Sequence, residues 1–147
     1  KVSGYNGTFL YIITYHINIP YKNFMIKISN EFGNYNLGKI TLDLNQNYLK
    51  PFEITAIDHF TNLFLRKENI LKIKCEDNSL KEYLSKIIIE SGLENIAKKN
   101  SFEPRIHTTK IRNIQFVETD YSLQFDNKIG ALQSLIQFYK LLIDNLK

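Results

Sequence analysis

The chain has no Trp, one Cys, one Met, three Pro and six Gly in 147 residues, and each shortage closes off a class of structure. A lone Cys75 allows neither an intrachain disulfide nor a cysteine-based metal cluster, which fits a reducing compartment. The six glycines are scattered, so no glycine-rich loop is available to cradle phosphates. No run approaches the ~20 apolar residues needed to span a bilayer, and no signal-peptide pattern is present. Nor does one charge dominate. Nineteen basic and 15 acidic residues leave +4, and the basic ones are spread along the chain rather than gathered on one element. That balance favours weak contact with anionic surfaces and speaks against a specific nucleic-acid partner.

What is present is an ordinary globular composition, 44% hydrophobic and 13% aromatic, in a length that fits one domain over residues 1–147 and buries roughly two thirds of the unfolded surface. The chain starts at Lys1 and its only Met is Met25, which points to a processed form or a fragment of a longer protein.

The clearest pattern is alternation at the N-terminal end. Phe9, Tyr11, Ile13, Tyr15, Ile17 and Ile19 alternate with Thr14, His16 and Asn18; Phe24, Ile26 and Ile28 alternate with Lys27 and Ser29; Ile40, Leu42 and Leu44 alternate with Thr41 and Asp43. Period-two alternation is that of half-buried strands. The short links at Pro20–Lys22 and Gly33–Gly38 make an antiparallel meander of three strands. After a brief extended stretch at Phe52 and Ile54, Thr55 and Asp58 have the spacing of a helix start, and Ile57, Phe60 and Phe64 continue to about Lys67. Ile70–Cys75 returns to period two, which makes Cys75 a small buried hydrophobe. Ser79 and Glu82 form a capping-box pattern for a helix carrying Leu80, Leu84, Ile87 and Ile88, with Gly92 ending or interrupting it. Arg105–Phe125 reads as two or three strands with a turn at Glu118, Thr119 and Asp120. Asp126 or Asn127 then caps a long helix to about Leu146, apolar all round except for a stripe of Gln133, Gln137, Lys140 and Asp144. The expected fold is α+β: an antiparallel sheet with an N-terminal three-stranded meander, covered on one face by the long C-terminal helix and two shorter helices.

Gly4 and the pattern Phe52-x-Ile54-x-x-x-Asp58, set in this order of elements, resemble a prokaryotic domain of unknown function. Proteins of that kind often carry the soluble domain after N-terminal membrane helices. The resemblance implies a membrane anchor in a segment absent from this chain; with the lone Cys75, the expected location is intracellular, in the cytoplasm or on the cytoplasmic face of a membrane. It implies no catalytic residues.

Candidate chemistry is sparse. His16, His59 and His107 lack the helical i, i+4 pairing of a zinc site, so no metal and no cofactor are expected. Arg105, His107, Lys110 and Arg112 form the densest basic stretch and are the candidate ligand-binding set. Glu118 and Asp120 would project to one side only if their segment stayed extended, which with a His would give the paired carboxylates of a hydrolase; an acidic turn accounts for them equally well. The expectation is a non-enzymatic binding or interaction module for an unknown protein partner. The first alternative is a sensor for a small anionic ligand such as a nucleotide, and the second a hydrolase using Glu118, Asp120 and a His.

Overall fold

The computed structural model describes residues 2–5, 8–33, 35–45, 47–57, 61 and 68–146, with side chains described from residue 11 onward. Among these residues the elements run β1 (Val2–Tyr5), β2 (Thr8–Tyr11), β3 (Ile13–Tyr21), β4 (Phe24–Phe32), β5 (Leu37–Asp43), β6 (Phe52–Ala56), β7 (Leu71–Cys75), α1 (Asn78–Glu90), α2 (Leu93–Asn100), β8 (Arg105–Ile111), β9 (Ile114–Ser122) and α3 (Lys128–Asp144). β1 and β2 form a separate two-stranded sheet. The other seven strands form one antiparallel sheet in the order β3-β4-β5-β9-β8-β6-β7. The fold is α+β, with the expected meander realised as β3-β4-β5.

One row of side chains crosses the sheet on its inner face: Ile73, Ile54, Ile106, Thr119, Ile40, Ile28 and Ile17. Most of it is buried under the helices. Thr119 is the polar exception, and its hydroxyl meets the Tyr139 hydroxyl of α3 at 2.8 Å. Tyr139 also donates to the Val117 carbonyl at 3.3 Å. The buried hydroxyls therefore satisfy one another, which is the condition for keeping them there. α3 buries Leu135, Phe138, Tyr139, Leu142 and Ile143 and leaves Gln133, Gln137 and Asp144 outside, as their spacing places them, while Lys140 of the stripe is half-buried and Ile129 in the first turn is exposed. Its cap is Asn127, which accepts from the Gly130 N–H at 3.0 Å.

Several boundaries differ from the sequence reading. The first alternating run is broken at Ile12, and β2 turns away to pair with β1 rather than continuing β3. Thr55 and Ala56 belong to β6, because the Glu53–Ala56 ladder to β7 and β8 outcompetes the capping spacing. Of the helix expected from Thr55 to about Lys67, the first residues are strand, and positions 58–67 lie, Thr61 apart, outside the described residues. α1 is capped by Asp77, whose carboxylate accepts from the Leu80 N–H at 2.9 Å, not by Ser79. Gly92 adopts φ 77° and divides α1 from α2, a conformation that suits a residue without Cβ. The turn expected at Glu118–Asp120 lies instead at Arg112 and Asn113, both at positive φ, which closes the β8–β9 hairpin and leaves β9 extended throughout. Cys75 is half-buried rather than buried. No helix among the described residues is long and apolar enough to cross a membrane.

Candidate functional site

Among the described residues α1, α2 and α3 lie on the inner face, and the register fixes what the outer face carries. One row reads Lys74, Glu53, His107, Glu118, Thr41, Lys27 and Asn18; the next reads Lys72, Thr55, Arg105, Asp120, Lys39, Ser29 and His16. Every position in both rows is polar. Side chains alternate across a strand, so each apolar residue of the inner rows places a polar one here.

Charges of opposite sign are neighbours on this face. The Arg105 guanidinium donates to Glu53 Oε1 at 2.7 Å, and the adjacent cation holds the Glu53 carboxyl below its ordinary range. Lys39 Nζ stands 3.0 Å from Glu118 Oε1. His107 lies between two acids, its Nε2 3.9 Å from Glu118 and its Nδ1 4.0 Å from Asp120. Both distances exceed a hydrogen bond, and the buried Nδ1 has no partner. Lys27, Lys72 and Lys74 form no ion pair among the described residues.

Of the four basic candidates, the structure brings two together. Arg105 and His107 are two residues apart on β8 and face outward into a cleft of about 390 Å³, shared with Lys50, Phe52, Glu53 and Lys74. Lys110 has the opposite parity, opposite Gln115 of the inner face, and Arg112 sits in the hairpin turn at φ 49°. A stretch that is dense in sequence is thus split among two faces and a turn. The extended β9 does put Glu118 and Asp120 on one face with His107. His16 lies two strands from Lys39 in the same row, and His59 is outside the described residues.

Sequence reasoning missed Glu53, Lys74, Lys39 and Lys27. Glu53 is 52 residues from its partner Arg105, and only the strand order brings them together. Among the described residues no three His, Cys, Asp or Glu side chains gather as a metal site would require. No family model matches the chain, and comparison with curated proteins and with solved structures finds no match.

Proposed function

We propose that this chain is a non-enzymatic binding or interaction module that recognises a protein partner through the face of its sheet opposite α1, α2 and α3. The observation that supports this is the pair of polar rows crossing all seven strands, exposed toward the edges, half-buried at the centre and mixed in sign. Such a surface offers electrostatic complementarity over a wide, flat area, and complementarity of that kind sets specificity and encounter rate. Catalysis asks for the opposite arrangement, reactive groups converging in a water-excluded site. Here His107 is beyond hydrogen-bonding distance of both acids, and Glu118 is engaged by Lys39. The interleaved acids also repel a phosphate backbone, so no specific nucleic acid is the partner. On the resemblance carried by Gly4 and Phe52-x-Ile54-x-x-x-Asp58, the module works in the cytoplasm or on the cytoplasmic face of a membrane, held there by a segment outside this chain.

The test is site-specific photo-crosslinking from the face. A benzophenone side chain at Thr41 should capture one defined protein, the same group at exposed Gln133 on α3 should not, and Lys27→Glu with Lys74→Glu should reduce capture at least ~10-fold. Equal capture from both positions, or indifference to the charge reversals, would sink the reading.

A second reading rests on a separate observation, the cleft lined by Lys50, Lys74, Arg105 and His107 together with Glu53 and Glu76. It suits a small anionic ligand. Titration calorimetry with inorganic phosphate and with ATP on wild type and Arg105→Ala decides it: heat lost in the variant supports a sensor, and no heat in wild type rejects it.

A further inference from the structure

The two edges of the sheet are unlike. β7 presents Lys72 and Lys74, both exposed, and charged side chains are a common way of discouraging strand addition at an edge. β3, at the other end, runs nine residues with no charged side chain. It leaves Ile13, Tyr15 and Ile17 exposed at 51%, 55% and 43%. These residues belong to the apolar face, since Ile17 opposes buried Ile28 and Ile19 opposes buried Ile26. Tyr15 packs edge-on against Phe32 at 5.9 Å. The helical cover ends short of them: α3 reaches β4, and at β3 it touches only the far end, through Tyr21 and Asp144.

The backbone of this edge is also unpaired. Lys22 and Asn23 make a two-residue turn with Tyr21 opposite Phe24. In such a hairpin the flanking residues are a hydrogen-bonded pair, and the pattern alternates from there. The odd residues of β3 therefore bond to β4, while Thr14, His16, Asn18 and Pro20 turn their backbone groups outward. Pro20 falls where its missing N–H costs no ladder bond, which is where a strand tolerates proline. No strand lies beyond β3 among the described residues.

We infer that β3 is a self-association edge, on which a second copy of this chain pairs antiparallel about a two-fold axis at His16. This inference is independent of what the open face binds. In that register Thr14 pairs with Asn18 of the second copy and the reverse, so every outward N–H of the strand is used and the ladder stops short of Pro20. On the apolar face, Tyr15 meets Ile17 of the second copy and Ile13 meets Ile19. On the polar face, Lys27 beside Asn18 shares a row with Glu31 of the second copy beside its Thr14, and the symmetric row does the same. Lys27 and Glu31 of the second copy lie about 14 Å apart, three strand spacings, so their attraction is weak and screened by salt, and a chain of net charge +4 meets itself along an edge without charged side chains. The seven paired residues, Ile13 to Ile19, span about 23 Å. The half-exposed Tyr and Ile side chains and the paired backbone amount to roughly 500–600 Å² per copy, on the order of 1,100 Å² in total, the lower end of specific interfaces. A weak, concentration-dependent dimer is the result expected.

Sedimentation velocity of the whole chain from about 5 to about 500 µM should show a shift from monomer to dimer mass. Thr14→Pro removes an outward N–H without touching the β3–β4 ladder, and should weaken dimerisation at least ~10-fold with native circular dichroism retained. In a Cys75→Ser background, His16→Cys should form an oxidised dimer, and Ser29→Cys, one strand inward, should not. A monomer at every concentration would overturn the inference, as would a dimer untouched by Thr14→Pro. So would a wild-type monomer whose edge binds an extended peptide of another protein.

Discussion

Gln115 is 8% exposed in an otherwise apolar neighbourhood, and its amide does what a paired strand would do. Its Nε2 donates to the Leu49 carbonyl at 2.8 Å while its Oε1 accepts from the Leu49 N–H at 2.9 Å. The loop before β6 is thereby fastened to β9. Gln115→Leu keeps much of the volume but leaves both Leu49 groups without partners, so a loss of ~2–4 kcal/mol is expected in urea denaturation, against under ~0.5 kcal/mol for exposed Gln124→Leu. A loss below ~1 kcal/mol would mean that water replaces the amide. No local signal marks this residue, because its partner is 66 positions away. The same difficulty hid the register of β9: Gln115 and Thr119 are polar residues at buried positions, so the run from Ile114 to Tyr121 shows no clean alternation. Its acids were equally ambiguous, since Glu118 and Asp120 on a solvated strand face have the composition of a turn. Arg105 and His107 were legible from basic density alone, whereas Glu53 and Lys74, which complete their cleft, were not.

Elements with strong periodicity were legible, and α3 is the clearest. Leu135, Phe138, Tyr139 and Leu142 are wholly buried, and Gln137 is exposed, as the spacing of apolar residues requires. The helix spans the core from Ala131 to Ile143, about 18 Å at 1.5 Å per residue. Leu135→Ala or Leu142→Ala should each cost ~2–5 kcal/mol, the cost of a cavity in a packed interior, and Gln137→Ala under ~0.5 kcal/mol. Chemical denaturation checks both, and equal stability of Leu135→Ala and wild type would place this side chain outside the core. Ends and breaks were less legible than spans. Asp77 and Ser79 are both competent caps, and only the packing of α1 on β7 selects the former. Nothing in the alternation from Phe9 to Ile19 announces the break at Ile12, because alternation records which side of a strand is apolar and not which neighbour it pairs with.

At the scale of the whole molecule, the division into a helix-covered inner face and an open charged one also sets how stability responds to pH. At the acid end, Lys22 holds the Asp144 carboxyl below its ordinary range and Arg105 does the same for Glu53. Groups depressed in the folded state stabilise above their unfolded pKa near ~4 and lose that contribution as pH falls; Asp144 is exposed and Glu53 half-exposed, so this arm is shallow and screened by salt. The alkaline arm comes from the core. Burial pushes the Tyr121 phenol up to about 12, its hydroxyl donates to Asn30 Oδ1 at 2.7 Å, and burial raises Tyr139 as well. A raised phenol means that the unfolded chain gives up its proton first. The contribution is therefore complete below pH ~10 and is lost as pH rises toward 12, with a ceiling of ~2–3 kcal/mol from Tyr121. Denaturation midpoints from pH 8 to 12 should fall more steeply for wild type than for Tyr121→Phe, whose side chain cannot ionise. Tyrosinate absorbance should rise with unfolding rather than before it for the buried phenols. Parallel profiles for the two proteins would show that Tyr121 ionises in place, and that the face it occupies is wetter than its packing against Gly38 and Phe102 implies.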